Sequence, residues 1–81
     1  VSREEQRKVA LRAIARMLEQ VRRPKSFDLG EYGHLGGLIN MAAFLGVIDF
    51  SEATRLVELK SNAGDYAARD YRAEQEATHA A

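Results

Sequence analysis

The chain has no cysteine, no tryptophan, a single proline and no excess charge of either sign. The absence of cysteine excludes disulfides, thiolate metal ligands and a cysteine nucleophile, and it is compatible with a reducing compartment. At 81 residues the chain is one domain near the lower size limit for a self-sufficient apolar core. Without disulfides, its stability must come from packing or from association. Long apolar runs are missing too. The uncharged stretch from Leu35 to Ile48 contains Asn40 and falls well short of the ~20 residues a membrane helix needs. The opening Val1-Ser-Arg-Glu-Glu lacks the apolar centre of a signal peptide, so a soluble, cytoplasmic protein is expected.

The zero net charge conceals an asymmetry. Residues 1–25 carry eight basic and three acidic groups and residues 26–81 carry four and nine, so the two parts stand at about +5 and −5. Such a distribution fits a first helix that leans on acidic neighbours, in its own chain or in a partner, better than a nucleic-acid surface.

The clearest pattern is a faint repeat at a spacing of 21 residues. Asp28-Leu-Gly-Glu31-x-x-His34-Leu35-x-x-Leu38 is echoed by Asp49-Phe-Ser-Glu52-x-x-Arg55-Leu56-x-x-Leu59. Each copy reads as a helix start, with Asp as N-cap and Glu three residues on as the returning member of a capping box. Phe27 with Tyr32, and Ile48 with Ala53, stand where a hydrophobic staple would. The repeat is that of two well-capped amphipathic helices and names no chemistry.

The helix signals predict an all-α fold with a small three-helix core and a weaker C-terminal fourth helix, at about residues 3–22, 29–46, 50–63 and 65–78. In the first, Leu11, Ile14, Leu18 and Val21 form a narrow apolar stripe, widened by Ala10, Ala13 and Met17, and Pro24 stops it. Lys8, Arg12, Arg16 and Arg23 gather on the opposite face, partly paired through Glu4 and Glu19. The second is interrupted by Gly30, Gly33, Gly36 and Gly37, which cost helix propensity and move its possible start towards His34. Gly30, Gly33 and Gly37 share one face suited to close approach of another backbone. Beyond them Leu35, Leu38, Ile39, Met41, Ala42, Phe44 and Leu45 leave Asn40 as almost the sole polar position, and Gly46 caps the end. The third turns Ala53, Leu56, Val57 and Leu59 inward and ends at Gly64. The fourth offers only Tyr66, Tyr71 and alanines, so it should be a frayed helix docked at its start.

Three constellations bear on function. The segment around Gly46 resembles the first half of a helix-turn-helix, with Ala42 four residues before the turn glycine and Val47 after it. The resemblance implies a DNA-binding regulator using Arg55, with basic support from Arg12, Arg16, Arg22 and Arg23. Its second half departs from the pattern, since the apolar residues fall one position late, at Ala53 and Leu56. A plain helical hairpin is the simpler reading. Glu31-x-x-His34 and Glu76-x-x-His79 have the half-site spacing of carboxylate-bridged metal bundles, which would make the chain a metal-binding helical dimer. Glu19, Glu52 and Glu58 are the available bridging donors. Glu31 is already accounted for as a cap and His79 stands near the end of the sequence, so no metal or other cofactor is expected. The glycine-rich stretch lacks the strand and the Lys-Ser/Thr of a nucleotide loop. No nucleophile is paired with a base, so catalysis is not expected and no small molecule is implied.

A central helix apolar on every side demands cover on every side. One narrow-striped helix and one amphipathic helix cannot supply it, so a surface around Leu38, Met41, Phe44 and Val47 is expected to remain for a second chain, most simply in a homodimer. The function expected is that of a small interaction module: a regulator, adaptor or inhibitor that works by occupying a partner's surface.

Overall fold

The computed structural model describes residues 2–23 and 29–80, with the side chains of Leu29 and Ala80 left out. It contains three helices, α1 (Arg3–Arg22), α2 (Leu29–Phe44) and α3 (Phe50–Ala80), and no strand among the described residues. Each helix packs on both of the others. The expected start at Asp28 with its Phe27 staple, and the stop at Pro24, lie outside the described residues.

Local chemistry sets the described ends. The Ser2 hydroxyl accepts a hydrogen bond from the Glu5 N–H (3.1 Å), and the Ser2 carbonyl accepts from Gln6, so Ser2 is the N-cap of α1. At the other end of the bundle's joint, Gly46 stands at φ 72°, a left-handed conformation that glycine adopts without a Cβ penalty. Its N–H donates to the Ala43 carbonyl and the Val47 N–H to the Ala42 carbonyl. Those two bonds form a Schellman motif and close α2 where the sequence places its cap. Three residues later the capping box is complete: the Glu52 N–H donates to Asp49 Oδ1 (2.7 Å), and the Asp49 N–H donates to Glu52 Oε1 (3.1 Å).

The core is small. Ile14, Leu35 and Ile39 are fully buried, and Val21, Ala42, Ile48, Ala53 and Ala63 complete the buried cluster, with Leu11, Met17, Leu18, Tyr32 and Leu56 packed against it. Fully burying a side chain of Leu or Ile size contributes about 1.5–3 kcal/mol, so each of the three central residues matters to so small a domain. α2 begins at Leu29 despite its glycines, one turn or more before His34. The cost of about 0.5–1 kcal/mol per interior glycine is offset by the contacts of Tyr32 and Leu35 on the same turns.

Two expectations about α3 are corrected. Gly64 does not end a helix, and the expected third and fourth helices are one continuous helix of 31 residues. The reason for glycine is tertiary: a Cβ at position 64 would come within 2.7 Å of Tyr32 Cε2, so Gly64 is the notch into which the Tyr32 ring fits. Val57 and Leu59 do not face inward but are exposed. The inward row is Ala53, Leu56, Lys60, Ala63 and Ala67, in which Lys60 is half-buried. Its ammonium lies against Gly36 and 4.3 Å from the centre of the Tyr32 ring. A lysine can occupy an inward position because its apolar stem packs while the charge rests on an aromatic face.

At ~1.5 Å per residue α3 outruns α1 and α2, which gives the molecule its 55 × 20 × 15 Å outline. From Arg69 to His79 every residue is exposed. Arg22 holds the start of this part to α1: its guanidinium lies over the Tyr66 ring (5.3 Å) and bridges to Asp70 (2.9 Å).

Two substitutions test these assignments. Asp49→Ala should lower the unfolding free energy by about 1 kcal/mol in urea titrations, the usual worth of an N-cap. Gly64→Val should cost about 1–3 kcal/mol through overpacking against Tyr32, and the double variant with Tyr32→Ala should show clear non-additivity, because the two positions share one contact.

Candidate interaction surface

Alanines on α1 create a concave feature among the described residues. Ala10 and Ala13, with Gln6 and Val9 beside them, form one wall of a groove of about 390 Å³, and Leu38, Met41, Ala42 and Leu45 of α2 with Val47 of the following turn form the other. Because the α1 wall carries little beyond Cβ atoms, the longer α2 side chains find no partner there and stay partly in water. The lining is almost wholly apolar, with Gln6 as its polar edge.

Three of the four residues expected at a partner surface, Leu38, Met41 and Val47, line this groove, with Leu38 and Val47 half-buried and Met41 55 % exposed. Phe44 stands outside it and is 85 % exposed. Sequence reasoning missed Val9 (63 %), Leu45 (58 %) and Phe50 (84 %). Val9 is off the apolar stripe of α1, and that displacement was the available signal. Single exposed apolar residues are ordinary; a groove bordered by several on adjoining turns is a different matter. No Asp, Glu, Lys or Arg occurs between Glu31 and Asp49, so the outer face of α2 meets water without a charged side chain of its own.

The outer face of α2 differs from expectation in one respect. Gly33 and Gly37 have nothing of the bundle near them: a Cβ at either would meet no atom within 4 Å. The close backbone approach expected along these glycines is not made by α1 or α3. Gly36, by contrast, accommodates Lys60, whose Nζ would be 2.9 Å from an added Cβ.

The residues of the alternative readings are placed as follows. Arg12, Arg16, Arg23 and Arg55 are exposed, whereas Arg22 is engaged with Tyr66 and Asp70. α2 and α3 form a hairpin in which Tyr32, near the start of α2, touches Gly64, well along α3. Helices that stay together over that length run back along each other and do not cross at the steep angle of a helix-turn-helix. Glu31 is half-buried, and His34, Glu76 and His79 are exposed. Among the described residues no group of three or more His, Asp or Glu is placed to hold a metal ion.

Glu52 serves the joint of the bundle. Its carboxylate accepts from the Arg7 guanidinium as well as from the Asp49 N–H. The cations of α1 thus lean on α3 at both ends, through Arg7–Glu52 and Arg22–Asp70. The Arg7 hydrogen bond, followed by the Asp49 N–H, holds the Glu52 carboxyl below the usual glutamate range, and the same contact raises Arg7 above its ordinary value. A carboxylate with a lowered folded pKa stabilises the fold fully above its unfolded pKa and loses that contribution as the pH falls through the folded value, because unfolding then takes up a proton. Thermal melts from neutral pH to pH ~3 should therefore show a shallower acid limb for Glu52→Gln than for the wild type, around and below the ordinary glutamate value of ~4.3.

Comparison with known proteins yields no matching family model, no curated relative and no similar solved structure. No described helix is long and apolar enough to cross a membrane.

Proposed function

We propose that the chain is a small helical protein–protein interaction module, a regulator, adaptor or inhibitor that acts by occupying a partner's surface and that associates with itself. The observation that carries this reading is the apolar groove between α1 and α2, bordered by exposed Val9, Met41 and Leu45 and extended by Phe44. Apolar surface gathered on adjoining turns, with no charged residue between Glu31 and Asp49, is stabilised by removal from water, and a second chain is what removes it.

The DNA-binding alternative has less support. The hairpin geometry and the engagement of Arg22 leave Arg12, Arg16, Arg23 and Arg55 without a recognition helix set out from the bundle.

Met41→Asp and Leu45→Asp test the proposal. Both positions are more than half exposed, so circular dichroism should show retained helicity. Association, read as mass by light scattering and as partner capture from the native host, should fall by about tenfold or more, since a charge would have to be desolvated in the contact. Wild-type protein that binds neither itself nor any host protein would overturn the reading, as would variants that bind unchanged.

A further inference from the structure

The glycines of α2 and its exposed apolar residues lie on the same face. At 3.6 residues per turn Gly30, Gly33, Gly37, Met41 and Phe44 fall within an arc of about 80°. All five are exposed, and neither Gly33 nor Gly37 has a neighbour that requires glycine. The first half of this face is therefore flat and the second half carries large side chains. A surface that is flat at one end and raised at the other is complementary to itself when turned end over end. A two-fold axis crossing the helix performs that operation, and the resulting contact is isologous.

We infer that the occupant of this face is a second copy of the chain, with the two α2 helices antiparallel and crossing at Gly37. This rests on the interaction-module reading and names its partner. With the axis at residue 37, Gly37 meets its counterpart and Phe44 of each copy falls over Gly30 and Gly33 of the other. Met41 then lies beside the other copy's His34. Glycine at the crossing lets the two backbones come close, so that the long side chains on either side reach the opposite helix.

The area agrees with a dimer. At their exposures, Met41 and Phe44 leave on the order of 300 Å² per copy, and the glycine backbone with exposed His34 and Asn40 adds roughly 200 Å² more, so the pair has about 1,000 Å² to bury, the scale of a weak, reversible dimer. Charge agrees as well. Residues 32–48 contain no Asp, Glu, Lys or Arg, so bringing two copies of this face together sets no like charges against each other, which two-fold contact between charged faces would do.

Gly37→Leu separates the dimer from the fold. The added side chain enters open space in the single chain and replaces a poor helix former by a good one, so helicity and melting of the monomer should hold or improve. The dimer dissociation constant, from sedimentation equilibrium, should rise by about tenfold or more. Orientation is tested by mixing a Gly33→Cys variant with a Phe44→Cys variant under mild oxidation, the chain having no cysteine of its own. Antiparallel crossing at residue 37 puts these positions within the Cα separation a disulfide needs, about 4.4–6.8 Å, so the mixed cross-link should exceed both like-with-like products.

Wild-type protein that stays monomeric at about 100 µM would overturn the inference. A dimer indifferent to Gly37→Leu, or one whose mixed cross-link does not exceed the like-with-like products, would do so as well. In each of these cases the interaction-module reading still stands if Met41→Asp or Leu45→Asp abolishes capture of a host partner. It falls if those variants bind unchanged.

Discussion

No Asp, Glu, Lys or Arg follows Glu31 in α2 or in the turn before Asp49, and among the described residues two helices cover α2. A helix of that composition is stable in water only when neighbours enclose it. α1 and α3 enclose the sides that carry Leu35, Ile39, Ala42 and Ala43, and those contacts, with Ile48 of the turn, form the core among the described residues. They cannot reach the third side. The uncovered face of α2 and the groove beside it are thus consequences of the same shortage that makes the core small, and it is on this shortage that the functional reading depends.

What holds the arrangement in register is the joint between α2 and α3. Gly46 reverses the chain, Asp49 starts the next helix, and Glu52 ties that start to Arg7 on α1. Glu52 performs two tasks with one carboxylate: it completes a local cap and it fixes the relative position of two helices far apart in sequence. Its lowered pKa is the electrostatic sign of that double engagement. At the opposite end, Arg22 over Tyr66 and against Asp70 holds α1 to α3. The charge asymmetry between the two parts of the chain is therefore neutralised in part within the fold, while Arg12, Arg16 and Arg23 keep their charges in solvent.

Glycine has different physical roles along the chain. At Gly46 it supplies a backbone conformation. At Gly36 and Gly64 it leaves room, for the Lys60 ammonium and the Tyr32 ring. At Gly33 and Gly37 the single chain requires neither, and it is this difference among residues of one type that directs attention to the outer face of α2.

What depends on nearest neighbours along the chain was legible in the residues: an all-helical chain, though read as four helices and not three, the cap at Gly46, the Asp49–Glu52 box and the stripe of Ile14 and Val21. Capping and turn chemistry act over three to five residues, so a linear reading contains all the participants. The expected partner surface at Leu38, Met41, Phe44 and Val47 was legible as an excess of apolar residues on one helix, but not its outline. That outline needed Val9 and the alanine wall of α1, which only the packing of α1 against α2 could place. Tertiary structure alone decided that Gly64 is a notch within a helix and not its end, because the Tyr32 ring that requires it lies 32 residues away. It decided that Lys60, and not Leu59, turns inward, because an aromatic face was there to receive the charge. And it decided that Gly33 and Gly37 stand open, because whether a glycine has a neighbour is a property of the folded surface and not of the glycine.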